Sequence, residues 1–322
     1  MALLLLAALA AAAGCQQPTP ISGRSLVIPV KSEPWTGRDF SGRRLLSRHY
    51  SIYTTSASPE IVGCLPGFME AAYQNYLRLT GLPDRPLKKP MEVYMMATRV
   101  EWAALTRSVW GDRADVPLSI QAGGYCRQGV CVFWDMGGSA ALSVASHEGL
   151  HQFFARRLRH SLPVWLEEGL CVLAEGYQLD GQSVRFTPRR NASRFRALRN
   201  AIVHDRWIPL AKLLPMDAGE AIRQLQFPEY VVGYYGQVWA LAAFLRSDPR
   251  YGRELSRLLN DAEAGRLHAA LKMPLKTYLR LRGRGAAYNR AVSVPLFRHY
   301  FNDDLTGFEQ RYKAFARKLV KL

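Results

Sequence analysis

Apolar residues recur at helical spacing through the middle of the chain and predict its most informative element. The members of this pattern are Val144, Leu150, Phe154 and Leu158. Gly137 to Ser139 provide a break and an N-cap before it, and no Pro interrupts the run that follows. We therefore predict a helix from Ala140 to Arg159. A second helix is predicted from Leu162 to Cys171, because Pro163 stands near its first turn.

Shorter apolar segments predict a small sheet that precedes and borders the first of these helices. Strands are expected at His49–Tyr53 and Met91–Met96, with a helix at Pro59–Gly81 between them. Gly123–Trp134 is expected to form a hairpin that turns at Arg127–Gly129. After Gly181 the pattern is mainly helical. The fold class is therefore α+β, with one subdomain over residues 48–180 and a helical one over 181–322.

The start of the chain has a different character. Residues 1–13 form an apolar run that is too short to span a membrane, and it ends at Ala12-Ala13-Gly14-Cys15. This segment resembles a bacterial lipoprotein signal peptide, which implies lipidation at Cys15 and an exported, membrane-anchored protein. An ordinary signal for a soluble periplasmic protein is the alternative. Residues 16–47 are rich in Pro and Gly and are interpreted as a flexible tether.

The predicted central helix carries the sequence His147-Glu148-Gly149-Leu150-His151, an H-E-x-x-H motif. Histidines four positions apart lie on one helix face, one turn apart, so both imidazoles can reach a single ion. Glu148 then lies beside a water molecule at that ion rather than on the ion itself. Two histidines without partners would be costly on a buried helix, which favours a metal site over a structural role.

The next helix supplies a third ligand. Sixteen residues separate His151 from Glu168, enough for a helix end, a turn and an antiparallel return. Three protein ligands with an open fourth position are typical of a catalytic zinc site. Glu167 points about 100° away from Glu168, toward solvent or toward the groups that surround the metal ligands. Glu175 lies on the same face as Glu168 and is expected to orient a ligand histidine.

These two segments together resemble the gluzincin metallopeptidases of the peptidase MA-like group, in a little-characterised bacterial branch. The H-E-x-x-H motif is followed by Pro163-x-Trp165-Leu166-x-Glu168-Gly169, and weaker similarity extends over residues 48–320. The resemblance implies a zincin-like fold and one Zn²⁺ per chain bound by His147, His151 and Glu168. Cys171 departs from the pattern, which usually has a small residue there, and inert packing of its thiol is the simpler interpretation.

The resemblance also implies a reaction, the hydrolysis of a peptide bond in a peptide or protein substrate. Glu148 corresponds to the general base, and zinc would activate the attacking water and polarise the carbonyl. Tyr235, in Tyr235-Gly236-Gln237-Val238-Trp239, is the candidate donor to the oxyanion, with Tyr234 and Tyr230 as rivals. Two alternatives remain open: a non-catalytic envelope lipoprotein that uses the scaffold for binding, and a zinc amidase that acts on cell-wall peptide.

Cysteine and charge content add two further expectations. Cys126 and Cys131 flank the turn of the predicted hairpin, so a local disulfide between them is expected in an oxidising compartment. The net charge is +17, and residues 185–199 carry six arginines and no acidic residue. This arginine block is either a solvated face or a site for anionic lipid or an acidic envelope polymer. No nucleic-acid motif is present, so nucleic acid is not an expected partner.

Overall fold

Two β-sheets and a set of helices make up the part of the chain that the structure describes. The computed structural model describes residues 23–216, 228–282, 285–301 and 304–322. The strands are β1 (Arg24–Ser25), β2 (Lys31–Gly37), β3 (Phe40–Leu46), β4 (Tyr50–Thr54), β5 (Met91–Met96), β6 (Gly124–Arg127), β7 (Val130–Trp134), β8 (Tyr177–Asp180) and β9 (Ser183–Phe186).

The helices follow in chain order. They are α1 (Pro59–Thr80), α2 (Arg99–Trp110), α3 (Asp115–Leu118), α4 (Gly138–Arg157), α5 (Val164–Ala174), α6 (Ala192–Val203), α7 (Leu210–Leu213), α8 (Pro228–Ser247), α9 (Pro249–Ala264), α10 (Leu267–Ala270), α11 (Leu275–Arg282), α12 (Ala286–Tyr300) and α13 (Leu305–Leu319). The α+β fold class is confirmed. The predicted strands, the hairpin and the helices α4 and α5 agree with the structure to within about three residues at each end.

The larger sheet has the strand order β2-β3-β4-β5-β7-β6. Strand β4 pairs with β5 in parallel, and β5 pairs with β7 in parallel, whereas the other neighbours are antiparallel. Helix α1 connects β4 to β5. It begins after Ser58, whose side chain accepts from the Ile61 backbone N–H, and ends at Gly81 in the left-handed conformation. Strand β6 is left at the sheet edge that borders α4.

The prediction of a flexible tether over residues 16–47 is wrong for its C-terminal half. Strands β2 and β3 form a hairpin that pairs with β4, and β1 pairs with β9 in the smaller sheet, whose order is β1-β9-β8. Strand β2 was not predicted because Pro34 and its polar residues are unlike the apolar pattern of a strand. Both are tolerated because β2 is an edge strand with an open hydrogen-bonding side. The leader, Cys15 and residues 16–22 lie outside the described residues.

One hydrophobic core extends across the boundary predicted near residue 180. It includes Leu65 and Tyr76 of α1, Trp165 of α5, Trp239 of α8 and Phe308 of α13, all fully buried. Helix α8 is central to the C-terminal part, because α5, α6, α9 and α13 all pack against it. Helix α5 therefore packs between α4, which carries the H-E-x-x-H motif, and the C-terminal helices. Within the described residues, no helix has the length and apolar character needed to cross a bilayer.

Candidate metal centre

Helix α4 presents His147 and His151 on one face, one turn apart, with their ring centroids 5.1 Å from each other. The helix is fixed in place on two sides. A Cβ at Gly149 would lie 2.4 Å from the Tyr76 hydroxyl, so α4 approaches α1 closely at that glycine. Ser146 donates a hydrogen bond through Oγ to the Ala174 carbonyl at 2.8 Å, which ties α4 to the end of α5. The two imidazoles are therefore held on a rigid support.

Helix α5 brings Glu168 to the Nε2 atoms of both histidines. Oε2 of Glu168 lies 3.4 Å from Nε2 of His147, and Oε1 lies 3.8 Å from Nε2 of His151. Oε2 is buried and accepts no hydrogen bond of good geometry from any described group. A buried carboxylate oxygen without a donor suits a cation. The three residues predicted as zinc ligands thus converge, and their chemistry fits zinc.

The Nδ1 atoms of both histidines are occupied by two further carboxylates. Nδ1 of His147 lies 2.8 Å from Oε1 of Glu175, and Nδ1 of His151 lies 2.8 Å from Oε1 of Glu167. Such carboxylate–histidine pairs set the tautomer and orientation of metal-binding imidazoles. Glu175 therefore orients a histidine, as expected from the sequence. Of the two environments that the sequence left open for Glu167, the structure shows the one beside a predicted ligand and not the one in solvent.

Glu175 is itself fixed by α6. The Arg194 guanidinium contacts both of its oxygens, at 3.0 and 3.2 Å, and Asn191 Nδ2 donates to Oε2 at 2.8 Å. Burial raises the pKa of Glu175, but His147 and Arg194 outweigh that effect and lower it to about 2. Sequence reasoning missed Asn191 and Arg194. The only signal was that Arg194 belongs to the arginine block and that Asn191 is a good N-cap for α6.

The protonated imidazoles supply positive charge where a cation would lie. Burial lowers the pKa of His147, but Glu168 and Glu175 outweigh it and raise the value to about 9. Burial raises the pKa of Glu168, and the two histidines reverse that effect, so this carboxylate is ionised. Glu148 differs from both, because burial is its dominant influence and raises its pKa. A raised pKa moves a carboxylate toward the range useful for proton transfer near neutral pH.

Cys171 offers a second arrangement of ligands. One ligand atom from each of His147, His151 and Cys171 lies within 4.8 Å of the other two. Cys171 is fully buried, however, and does not line the cleft at the histidines, whereas Glu168 does. Burial also raises the pKa of the Cys171 thiol, which keeps it protonated. Glu168 therefore borders the open cleft, whereas Cys171 is buried away from it.

A cleft of about 380 Å³ opens over the two histidines. Glu148, Glu168 and Tyr235 line it on the helical side, and residues 124–126 with 128 and 129 of the β6–β7 hairpin line the other side. Burial, followed by the charge of Glu168, raises the pKa of Tyr235, so its hydroxyl stays a proton donor. Tyr234 is buried and does not line this cleft, and the side chain of Tyr230 lies outside the described residues.

Gly169 determines how Tyr235 reaches the cleft. A Cβ at Gly169 would lie 2.7 Å from the Val238 carbonyl of α8. Gly169 therefore allows a close approach between α5 and α8. Since Tyr235 belongs to the same α8 segment as Val238, this contact sets the distance between Tyr235 and the carboxylate of Glu168 on α5.

The disulfide predicted between Cys126 and Cys131 is not formed in the structure. The two residues are direct partners across the antiparallel β6–β7 pair, and both are free thiols. Sγ of Cys131 is buried and donates to the Glu148 carbonyl at 3.0 Å. The cysteine therefore packs the hairpin against α4, and Cys126 lines the cleft instead of bridging to it.

The arginine block of residues 185–199 is not one continuous solvated face. Arg194 is turned inward to Glu175, and its guanidinium lies 5.1 Å from the centroid of the Tyr235 ring. Arg199 donates to the Val320 carbonyl at 3.2 Å. At least one arginine of the block thus serves the candidate metal centre rather than an external anion.

A scan of the chain against protein-family models, a search of curated proteins and a search of solved structures each gave no significant match. The site must therefore be interpreted from its own geometry.

Proposed function

We propose that this protein is a zinc-dependent hydrolase of peptide bonds, with a gluzincin-type site. His147, His151 and Glu168 would hold the ion, and Glu148 would act as the general base. The observation that carries the proposal is the convergence of both Nε2 atoms on the Glu168 carboxylate, whose Oε2 has no hydrogen-bond partner among the described groups, while both Nδ1 atoms are bound by Glu175 and Glu167. An ordinary structural histidine pair needs neither feature.

The chemistry follows from the charges around the cleft. A zinc ion held by these three residues would lower the pKa of a water molecule to about 7 and polarise a carbonyl group. Glu148 borders the same cleft and has the raised pKa that suits it to take the proton of the attacking water. It then returns that proton to the leaving amine, so that the proton balance of the hydrolysis closes.

Tyr235 is proposed to stabilise the oxyanion that develops on the carbonyl oxygen. Its side chain lines the cleft, and its raised pKa keeps the hydroxyl proton available for donation. The Arg194 guanidinium over its ring is a positioning group, because it is bound to Glu175 and does not line the cleft.

The test compares zinc content and cleavage of a mixed peptide library for four proteins. The parent is expected to bind about one zinc per chain. Glu148→Gln should keep that zinc, and its hydrolysis rate should be about 10²–10⁴-fold lower than that of the parent. His151→Ala and Glu168→Ala should lose the metal first and activity as a consequence. Cleavage by Glu148→Gln at the parental rate would refute the assignment of the base. A parent that binds zinc and cleaves no peptide would favour a binding scaffold.

We further propose that the protein is exported and anchored through lipid on Cys15, as the sequence of the leader implies. Cys15→Ser should move the protein from the membrane fraction to the soluble fraction. Continued dependence on detergent for extraction would count against lipidation at this residue.

A further inference from the structure

Cations from three separate segments converge on a surface cleft outside the metal site. The cleft has a volume of about 950 Å³ and lies between the loop before β5, the end of α4 and the end of α9. Among the described residues that line it, seven are Lys or Arg and one is acidic, Glu263. The cations are Arg85, Lys88, Lys89, Arg156, Arg157, Arg159 and Arg266. We name this feature the basic cleft.

Internal ion pairs neutralise only part of this charge. Oε1 of Glu263 accepts hydrogen bonds from Arg157 at 2.6 and 3.0 Å, and Oε2 lies 3.2 Å from Nη2 of Arg85. Arg266 pairs with Asp261 at 2.7 Å. The remaining four cations make no ion pair with any carboxylate that the structure describes. These are Lys88, Lys89, Arg156 and Arg159.

The partial negative charge at two helix C-termini offsets some of the remaining positive charge but not all of it. The C-terminal ends of α4 and α9 both point to this region, and each is equivalent to roughly half a negative charge. Together they offset about one of the four unpaired cations. Glu263 is a single negative charge shared by Arg157 and Arg85, so one further positive charge is left there. About four positive charges therefore stay without compensation in one concave surface, which raises the local potential above that of a flat, solvated face.

We propose that the basic cleft binds a ligand that carries two or more clustered phosphate groups. A phosphate group brings up to two negative charges in a small volume, so a compact ligand matches the excess charge better than a carboxylate does. Arginine offers bidentate donors to phosphate, and lysine adds mobile point charges. The volume lies within the range of small-molecule sites, and Pro86 and Leu87 provide apolar surface for a carbon framework. A soluble polyphosphorylated molecule and a lipid headgroup share this chemistry.

The basic cleft lies next to the cleft over the two histidines, with α4 between them. Nη2 of Arg156 donates to the Gly129 carbonyl at 3.4 Å, and Gly129 lines the cleft over the histidines. A ligand in the basic cleft would therefore lie beside the hairpin that borders the candidate active site. The proposal rests on the charge of the basic cleft and does not require that the protein is a hydrolase. Its test and the test of the hydrolase can therefore fail separately.

The test is isothermal titration of the full protein with inorganic tripolyphosphate, at low and at physiological salt. A cleft variant carries Lys88→Gln, Lys89→Gln and Arg159→Gln. Arg156 is retained because of its contact with Gly129. A control variant removes the same number of charges from exposed positions elsewhere, through Arg250→Gln, Arg253→Gln and Lys318→Gln. All six side chains are exposed, so both variants are expected to fold, which thermal melting verifies.

The cleft variant is expected to bind tripolyphosphate at least about tenfold more weakly than the parent, while the control changes about twofold or less. Equal weakening in both variants would show that the overall charge attracts the anion, and would overturn the proposal. A parent that binds neither tripolyphosphate nor the phosphorylated vesicles described next would also overturn it. Vesicles with a bisphosphorylated lipid headgroup form the second arm. Cleft-dependent binding to tripolyphosphate identifies a site for soluble ligand, and cleft-dependent binding to vesicles alone identifies a headgroup site.

Discussion

Oε1 of Glu175 lies 2.8 Å from Nδ1 of His147, so a residue beyond the end of α5 determines which imidazole nitrogen faces the candidate metal position. Glu175→Gln removes the charge that holds this orientation and leaves Arg194 without its ion pair. We expect zinc affinity to fall about 10–100-fold while the fold survives. Competition with a chromogenic chelator measures the change.

The control for this variant is Glu254→Gln, which removes a partly exposed carboxylate that pairs with Arg257 on α9. Zinc affinity should stay at the parental value there. Unchanged affinity in Glu175→Gln as well would mean that the contact between Glu175 and His147 does not support the metal site.

Cobalt can distinguish Glu168 from Cys171 as the third ligand. A thiolate ligand gives cobalt(II) an intense near-ultraviolet charge-transfer band, whereas a site of two histidines and a carboxylate gives only weak visible bands. We expect no charge-transfer band in the parent and retention of cobalt by Cys171→Ala. Glu168→Ala should bind cobalt much more weakly. An intense band that disappears in Cys171→Ala would instead assign the sulfur as a ligand.

Gly169→Ala should destabilise the protein, because the new Cβ would lie 2.7 Å from the Val238 carbonyl. The expected loss is about 1–3 kcal/mol, typical of overpacking between helices. Gly63→Ala on α1 is the matched control, since a Cβ there meets nothing within 4 Å. That change should be neutral or stabilising by up to about 1 kcal/mol. Urea denaturation of both variants checks the contrast, and equal effects would contradict it.

Acid should destabilise the protein through His160, which packs against Tyr278 at a centroid distance of 4.2 Å. Burial, with His268 and Arg282 nearby, lowers the pKa of His160 to about 4. The folded state then binds this proton less readily than the unfolded state, whose histidine has a pKa near 6.5. Stability is fully present above about pH 6.5 and declines as the pH falls toward 4.

His160→Phe keeps an aromatic ring and removes the titration. It should reduce the loss of stability between pH 6.5 and 4 by about 1–2 kcal/mol, a figure lowered for solvent screening. The same change at exposed His204 is the control and should not alter the pH dependence. Parallel pH profiles for the parent and His160→Phe would exclude this histidine as the cause.

The local part of the candidate site was accessible from the sequence. The positions of His147, His151 and Glu168 follow from helix periodicity and from the length of the connection between α4 and α5. The orientation of His147 by Glu175 also followed, because Glu175 lies seven positions after Glu168. The contact of Glu167 with His151 was one of two outcomes that periodicity allowed.

Contacts between distant segments were not accessible in this way. Arg194 reaches Glu175 from a helix that begins after the smaller sheet, and no spacing rule links the two residues. The partner of Gly169 proved to be α8, some seventy residues away. The disulfide expectation failed because sequence proximity of Cys126 and Cys131 does not report that one thiol is bound to the Glu148 carbonyl.

The pairing of β1 with β9 has a consequence for the reach of the protein from a membrane. A tether from Cys15 to residue 47 would extend to about 110 Å, whereas the eight residues from Cys15 to the first described residue span at most about 28 Å. A lipid on Cys15 would therefore keep the folded part within roughly its own diameter of the bilayer. Substrates would then have to come from the layer next to the membrane, not from the wider envelope.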